Sequence, residues 1–467
     1  METLQRMANR GSISTGYDID NSIKFEADNT EYLKWTDFSD NASDARKRTF
    51  SISLWCKRTE LGVQQLIWNS GANGYLSFEA GDVIKWQQQY STTAKTLNTN
   101  RLFRDTAAWY HIIVAVDSTQ STEANRVRLY VNGVEETSFS SATYPAEDAT
   151  SDNVYGDYLS LGRSVAWGAG FCGYVADYLF VSEVQLVPTD VGEFDSDTGI
   201  WKPKAYSGTI STPSHFLEFQ DGSDLGTATS GLDADTMNNI AAADQSTDTP
   251  TNNFCTLNPL IKPKYGTNAG GMIEGATEFG DSTGGGVGGA LGTMAVTAGK
   301  WYWEMKLVQQ NAHNIGVSAV DDNDNFYAAS DPQDINSTFN FNIAVARIEY
   351  FNGGSKTYGS ADAFTDFHST GDIISIALNM DDNQISIYGN GTLQAGVAAT
   401  SLYDAANKMC APFHGTIDDT VQYNFGGYSA WTPSSIVNDA NGYGSFEYAP
   451  PSGYYALCTK NLSEFGG

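Results

Sequence analysis

Three acidic residues near the start of the chain are spaced in a way that could support glycoside hydrolysis. Glu26, Asp28 and Glu31 fit the pattern E-x-D-x-x-E, in which carboxyl groups project from one strand into a sugar cleft. Hydrolysis of a glycosidic bond uses two carboxyl groups, one as an acid and one as a base or nucleophile. The residues between them are Ala, Asn and Thr, which are typical of a turn. The sequence therefore favours a surface turn here over a catalytic strand.

A second acidic run has the spacing of a calcium loop. Asp321, Asn323 and Asn325 place oxygen ligands at alternate positions, as Ca²⁺-binding loops do. The run lacks the glycine expected at its sixth position, where Phe326 stands, and it lacks a distal glutamate. A solvated turn is the alternative. The sequence gives no sign of a required cofactor. Ca²⁺ is the metal that this loop could hold.

Aromatic rings are the remaining candidates for binding, because they stack on sugar faces and anchor interfaces. Those that stand near turn-like residues are predicted to contact glycan or a partner: Trp167, Tyr327, Tyr350, Tyr358 and Trp431. A place in the core is the alternative for each of them. The glycine tract 284–292 lacks the Gly-Lys-Ser/Thr ending of a phosphate loop and is interpreted as a long loop.

Cysteine and histidine offer no obvious constellation. The five cysteines have no CxxC spacing, and an odd number argues against a disulfide framework or a zinc ribbon. Cys56 and Cys172 lie in apolar runs and are predicted to be small buried core residues. The five histidines are dispersed, so the sequence indicates neither a metal cluster nor a catalytic triad, and we expect a protein that is not an enzyme.

Two stretches about 190 residues apart have the same organisation. Each contains an aromatic-led strand, an apolar strand that ends in Asp, and a β-branched strand closed by Asn-Gly, at Asn132-Gly133 and at Asn390-Gly391. Asn-Gly between alternating apolar residues is a strong hairpin signal because both residues accept a positive φ. The sequence therefore predicts an all-β protein made of two antiparallel β-sandwiches in tandem.

The predicted organisation has four parts. Residues 1–20 form a polar arm, 21–220 the first sandwich, 221–254 a connector rich in small polar residues, and 255–467 the second sandwich. Period-two alternation and turn residues give the strands of the first sandwich: 22–26, 50–57, 65–69, 75–79, 83–87, 111–116, 126–131, 158–161 and 173–181.

Charge and hydrophobicity exclude several classes of partner. With 26 basic and 55 acidic residues the net charge is −29, which repels nucleic acid and anionic lipid. No run of 18 apolar residues exists, so no membrane insertion is expected. The first ten residues lack the apolar core of a secretory signal, so synthesis in a cytoplasm is expected.

Particular motifs in each half resemble known domains. The first half resembles the concanavalin A-like jelly roll of laminin-G and pentraxin domains, through 50–58, 129–133 and 173–177. The second half resembles a SPRY-type sandwich, through 299–304, 314–317 and 371–377. Both resemblances imply a function carried by loops and surfaces.

The order of the two halves, with connecting motifs at 192–203 and 248–259, resembles structural proteins from tailed bacteriophages of marine bacteria. This resemblance implies a virion component, made in the host cytoplasm: a tail fibre, a tail-associated protein or a capsid-surface decoration. It also implies a homo-oligomer, with a trimer favoured, which joins other virion proteins through residues 1–20 and contacts host-surface carbohydrate. Two alternatives stay open, a polysaccharide depolymerase on a jelly-roll scaffold and a bacterial glycan-binding adhesin.

Overall fold

The computed structural model describes residues 16–36, 43–152, 154, 158–260, 271–280, 287–309, 312–320, 338–364, 369–417, 420–427 and 430–466. Within these ranges the chain divides between Thr251 and Asn252 into two compact units, each of them an antiparallel β-sandwich. The described ranges contain two α-helices, α1 (Asp44–Arg48) and α2 (Thr459–Phe465), and neither is long and apolar enough to cross a membrane. The predicted all-β class with two antiparallel sandwiches is confirmed.

The described residues of the first unit form nineteen strands: β1 (Ser22–Phe25), β2 (Tyr32–Trp35), β3 (Thr49–Arg58), β4 (Gln65–Ser70), β5 (Gly74–Phe78), β6 (Val83–Tyr90), β7 (Thr93–Leu102), β8 (Tyr110–Asp117), β9 (Val127–Val131), β10 (Val134–Glu135), β11 (Phe139–Ala142), β12 (Leu159–Leu161), β13 (Gly173–Ser182), β14 (Gly192–Phe194), β15 (Trp201–Pro203), β16 (His215–Leu217), β17 (Ser230–Gly231), β18 (Thr236–Asn238) and β19 (Gln245–Ser246). Sheet 1 has the order β10-β9-β8-β3-β13-β1-β19, with β16 also on β13 and β17 on β16. Sheet 2 has the order β11-β7-β6-β5-β4-β12-β2-β18, and β14 pairs with β15 as a separate hairpin.

Alternation along the strands places one core between sheets 1 and 2. In β3, Phe50, Ile52 and Leu54 point into this core and are fully buried, as the period of two requires. The predicted turn at Asn132-Gly133 joins β9 to β10, and both residues have positive φ, 50° and 78°. A side chain at Gly133 would collide with the ring of Trp201, so this glycine also allows a close approach.

Strand β13 contains a bulge at Asp177. The pairing with β3 shifts between Ala176 and Leu179, and Asp177 has φ of 46°. The extra residue lets Val175 and Tyr178 both face the core while Leu179 faces the outer surface of sheet 1. The bulge thereby projects a carboxyl group onto that outer surface.

The segment predicted as a connector, 221–254, contributes most of its length to the first unit. Strand β18 extends sheet 2, and β19 pairs with β1 through Ser22 and Ser246. The hydroxyl of Thr251 accepts a hydrogen bond from Ile19 N–H at 3.1 Å and donates one to Ile19 O at 2.7 Å. Small polar residues hide this role in the sequence, because the segment is attached by their hydrogen bonds and by scattered apolar residues such as Leu225, which have no regular period.

In the part of the second unit that the structure describes there are seventeen strands: β20 (Gly271–Ile273), β21 (Glu278–Gly280), β22 (Val287–Leu291), β23 (Lys300–Leu307), β24 (Ala312–Ala319), β25 (Thr338–Asn342), β26 (Arg347–Asn352), β27 (Ser355–Tyr358), β28 (Ile373–Asn379), β29 (Gln384–Gly389), β30 (Thr392–Leu393), β31 (Thr400–Ser401), β32 (Cys410–Ile417), β33 (Thr420–Asn424), β34 (Val437–Asn438), β35 (Ser445–Phe446) and β36 (Tyr455–Ala456). Sheet 3 has the order β20-β21-β33-β23-β28-β29-β30, and sheet 4 the order β22-β32-β24-β25-β26-β27. The short β36 runs parallel to β23, whereas the other pairs of described strands are antiparallel.

A buried glutamate attaches the last part of the chain to sheet 3. Glu304 in β23 is fully buried, and its carboxylate accepts hydrogen bonds from the N–H groups of Glu447 and Tyr448 at 2.9 and 2.8 Å. Burial raises the pKa of Glu304 to about 7, although these hydrogen bonds oppose the shift. The aromatic motif 299–304 thus supplies both core side chains and an anchoring acid.

Candidate functional site

The acidic motif near the start of the chain is folded into the turn between β1 and β2. Glu31 accepts hydrogen bonds from the N–H of Glu26 at 2.6 Å and from the side chain of Asn29 at 3.1 Å. Glu26 is buried and accepts a hydrogen bond from the thiol of Cys172 at 3.1 Å, while Asp28 is exposed. Burial, and then the charge of Asp244, raise the pKa of Glu31 to about 7. The three carboxyl groups do not project together from one strand, as a glycosidase of this pattern would need.

A serine and a histidine that are far apart in sequence meet on the outer surface of sheet 1. Ser53 Oγ lies 2.9 Å from His111 Nε2, and the indole N–H of Trp201 donates to His111 Nδ1 at 3.0 Å. Indole nitrogen can only donate, so Nδ1 is unprotonated and Nε2 carries the proton. Burial also lowers the pKa of His111 to about 3. The imidazole therefore donates to Ser53 and cannot act as a general base that activates it.

A small cleft beside this pair is too narrow for a substrate. Ser53, His111, Asp177 and Tyr206 contribute to its lining, and its accessible volume is about 10 Å³, the room of one water molecule. Burial raises the pKa of Asp177 to about 8, and Tyr17 donates a hydrogen bond to its carboxylate at 2.8 Å. The outer surface of sheet 1 is thus occupied by the protein's own side chains.

The calcium prediction falls on residues that the structure does not describe. Asp321, Asn323 and Asn325 lie outside the described ranges, as does Tyr327. In the part of the chain that is described, no three His, Cys, Asp or Glu side chains are grouped to hold a metal ion. Ca²⁺ binding by the 321–325 loop therefore stays a prediction. Cys56 and Cys172 are buried, as the sequence indicates.

The predicted binding aromatics have different environments. Trp167 is 46 % exposed in the first unit, and Tyr358 is 53 % exposed in the second, with the guanidinium of Arg347 4.5 Å from its ring centre. Tyr350 is half-buried and stacks on Tyr403 at 3.8 Å between ring centres.

Trp431 differs from the expectation. Its indole is buried, with only 7 % exposed. The amino group of Lys306 lies 5.7 Å from its ring centre. A large apolar ring beside a turn is stabilised more by packing than by exposure, and a buried indole offers no face on which a sugar could stack.

Register pairs across sheet 2 place polar side chains in rows on its outer surface, because directly paired residues share a face. One row consists of Thr236, Lys34, Ser160, Asn69, Tyr75, Gln87 and Thr96. A neighbouring row consists of Ser77, Lys85, Asn98 and Ser141. The residues that alternate with them, such as Trp68, Leu76 and Trp86, face the core.

Trp167 lies against the first of these rows. Its ring meets the ring of Tyr75 edge-on, with 5.2 Å between centres. The turn that carries it is attached to the sheet by Ser160, whose hydroxyl donates to Arg163 O at 2.7 Å. Asn69 is buried in the same row, and its side-chain oxygen has no hydrogen-bond partner among the described residues. The row therefore combines an exposed ring with an unused hydrogen-bond acceptor.

The accessible part of this surface forms one candidate site. We call it the polar face and define it by seven residues: Lys34, Tyr75, Lys85, Gln87, Thr96, Asn98 and Trp167. All of these except Tyr75 are half-buried or exposed. The face offers amide and hydroxyl groups, which can both donate and accept hydrogen bonds, beside an exposed aromatic ring on which a flat ligand can stack. Sequence reasoning singled out only Trp167 of this site, and β7, which carries Thr96 and Asn98, is absent from the sequence-based assignment.

Comparison with known families agrees with the fold of the first unit. Residues 27–187 match the Laminin_G_3 family model, described as the concanavalin A-like lectin/glucanases superfamily. This part of the chain therefore has the concanavalin A-like fold, as predicted. Among curated proteins, none matches the sequence.

Solved structures are similar to one or both units. The SPRY domain of human HERC1 is 19 % identical, with a TM-score of 0.24, over 36 % of this chain and 96 % of that one. Domains LG4-5 of the mouse laminin alpha1 chain are 8 % identical, with a TM-score of 0.31, over 88 % and 90 % of the two chains. A heptameric SAP-like pentraxin from Limulus polyphemus is 11 % identical, with a TM-score of 0.25, over 37 % and 80 %.

Proposed function

We propose that this protein is a carbohydrate-binding protein without catalytic activity, and that the polar face binds the sugar. The observation that carries the proposal is the exposed ring of Trp167 beside rows of amide and hydroxyl side chains on sheet 2. Sugars present apolar C–H faces that stack on aromatic rings and hydroxyls that both donate and accept hydrogen bonds. Gln87 and Asn98 supply donors and acceptors of that kind.

A fold that occurs in both lectins and glucanases does not decide between binding and cleavage. Two features favour binding. The carboxylate of Glu31 accepts hydrogen bonds from its own turn, and the buried carboxyl group of Glu26 accepts one from the thiol of Cys172. The Ser53–His111 pair has the wrong proton arrangement for a nucleophile and its base.

A glycan array with the purified full chain tests the proposal. We expect binding to at least one glycan class, and Trp167→Ala should weaken it by about 2 kcal/mol or more, roughly thirtyfold. Phe194→Ala is the matched control, because Phe194 is also an aromatic residue about half exposed in the first unit but lies in the β14–β15 hairpin. Equal binding by the Trp167→Ala variant and the wild type would exclude the polar face.

Two further arms address the metal and the alternative activity. EDTA-sensitive binding that Trp167→Ala leaves intact would favour a Ca²⁺ site at 321–325 over the polar face, and EDTA-insensitive binding would exclude a role for the metal in binding. A depolymerase would release reducing ends from host capsule or lipopolysaccharide, and Glu31→Gln would abolish that release. We expect no release from either variant or wild type.

We propose in addition that the chain is a structural component of a tailed-phage particle, such as a fibre or a capsid-surface decoration. The support is its resemblance, in both halves and both connecting motifs, to structural proteins of such phages. In this setting the protein is a homo-oligomer, favoured as a trimer, and residues 1–20 join it to other virion proteins. Absence of the chain from purified particles in mass spectrometry would refute this role.

The attachment can be tested without disturbing the first unit. Ile19 is buried and bonded to Thr251, so a truncation should remove residues 1–15 and leave 16–20 in place. We expect a folded, soluble protein that no longer joins particles. Incorporation of the truncated chain at normal stoichiometry would contradict the assigned role of the arm.

A further inference from the structure

The strands of sheet 2 have a charge that is opposite to that of the whole chain. The chain has 55 acidic and 26 basic residues. The eight strands of sheet 2 contain Lys34, Lys85, Lys95 and Arg101 but not a single Asp or Glu. From this separation of charge we infer that the ligand of the polar face is an acidic polysaccharide, an inference that rests on the proposed function.

Two of these cations lie on the polar face itself. The register assigns Lys34 and Lys85 to the outer rows, and both side chains are half-buried. Their amino groups lie 5.5 Å and 5.2 Å from the ring centres of Tyr158 and Tyr75. The strands that carry the two lysines, β2 and β6, are four strand spacings apart, roughly 19 Å. A ligand that contacts both must therefore be an extended chain of sugars.

Two other charges near this sheet, those of Arg101 and Glu79, are already engaged with neighbouring side chains. Arg101 is paired with Glu136 at 2.7 Å, so its charge is already balanced. Glu79 follows β5 beside the second row, and its carboxylate accepts hydrogen bonds from Ser77 at 2.7 Å and from Gln64 at 3.2 Å. This acid opposes the binding of an anion, which makes it useful as a probe of ligand charge.

The low density of positive charge on the polar face favours an acidic polysaccharide over nucleic acid as the ligand. Duplex DNA carries one charge per 1.7 Å, and its binding needs many phosphate contacts. Two lysines on strands about 19 Å apart neutralise few phosphates, while the remaining surface of a chain with net charge −29 repels a dense polyanion. Uncharged amides and hydroxyls between the lysines match the hydroxyl groups of a polymer whose charges are sparse.

Titration calorimetry with polygalacturonate, heparin, dextran and single-stranded DNA tests the inference. We expect polygalacturonate to bind at least tenfold more tightly than dextran, and its affinity to fall with added salt. The double variant Lys34→Gln with Lys85→Gln should weaken binding of polygalacturonate roughly tenfold and weaken binding of dextran less. Glu79→Gln should strengthen binding of polygalacturonate roughly twofold, which is at the low end of the effects that surface charges have.

The control for the double variant is Lys47→Gln with Lys300→Gln, which removes the same charge from partly exposed sites off sheet 2. Equal binding of dextran and polygalacturonate, or an unaffected Lys34/Lys85 variant, would overturn the acidic ligand and leave the proposed function standing. DNA binding as tight as that of polygalacturonate would also overturn it. Loss of binding in Trp167→Ala for every polysaccharide supports the shared site, and no binding of any polysaccharide by the wild type would refute the proposed function itself.

Discussion

The two sheets of the first sandwich have outer surfaces of opposite character. Sheet 1 presents Trp55, Ile113 and Leu179 outward, and these are buried in two apolar clusters with later parts of the chain. Sheet 2 presents Gln87, Thr96 and other polar residues outward, and they remain partly accessible. Both sheets follow the same period of two. The outward residue type therefore distinguishes the surface that becomes a second core from the one that stays partly accessible.

The covering of sheet 1 includes a buried ion pair. Lys57 Nζ lies 2.8 Å from Asp248 Oδ2, both side chains are almost fully buried, and the indole of Trp109 donates to Asp248 Oδ1 at 3.1 Å. The seven residues that define the polar face of sheet 2 include no such buried ion pair. Mutations on the two surfaces should therefore differ strongly in their effect on stability.

The largest effect is expected for Asp248→Ala. This change leaves the charge of Lys57 buried without its carboxylate, which costs about 3–5 kcal/mol, and denaturant unfolding measures the loss. Asp197→Ala, at an exposed turn of the same unit, should change the free energy of unfolding by less than about 0.5 kcal/mol. A loss below about 1 kcal/mol for Asp248→Ala would mean that segment 246–251 is not an integral part of the unit.

A pH dependence of intermediate size is expected from Asp177 on the covered surface. Its pKa is raised to about 8 in the folded protein, chiefly by burial, with the charges of Glu218 and Asp20 adding to the shift. Between its ordinary pKa near 4 and pH 8, the folded state holds a proton that the unfolded state releases. Stability contributed by this group is therefore present at low pH and is lost as the pH rises toward 8, by at most about 1.4 kcal/mol per pH unit.

Asp177→Asn should remove this contribution, since an amide does not titrate and can still accept the hydrogen bond from Tyr17. The measurement is the difference in unfolding free energy between variant and wild type at pH 5 and pH 8, because Glu31 and Glu304 titrate with the same sign. A difference that does not change with pH would show that the Asp177 carboxyl is ionised in the folded state.

The smallest effect is expected on the polar face. Asn98→Ala removes a half-buried amide whose hydrogen bond goes to Ser140 at 3.0 Å, and we expect a change in unfolding free energy within about 0.5 kcal/mol. The affinity of the Asn98→Ala variant for glycan should nevertheless fall. A loss of stability comparable to that of Asp248→Ala would indicate that this surface is also structural.

The strands with strong apolar alternation could be predicted from sequence, and so could the Asn-Gly turns. All nine strands predicted for the first sandwich are present, and Asn390-Gly391 has the positive φ values that its turn requires. In contrast, β7 (Thr93–Leu102) escaped prediction because Leu97 is its one apolar residue that reaches the core in the middle of the strand. Its neighbours are Thr and Asn, which read as loop residues.

The candidate site could be predicted only in part for the same reason. Trp167 stands out in the sequence, but Gln87, Thr96 and Asn98 join it only through pairing across three strands. The contact between Ser53 and His111 likewise depends on the register of β3 and β8. Long-range register is not encoded in local composition, so these groupings emerge only from the fold.

The hydrogen bonds between Ile19 and Thr251 have a consequence for how this protein could have evolved. They hold together the points at which the polypeptide enters and leaves the first unit. A module whose ends are adjacent can be spliced into a surface loop of an unrelated host without stretching either partner. Recombination could therefore move this sandwich between genes as a cassette, with its polar face travelling intact to each new carrier.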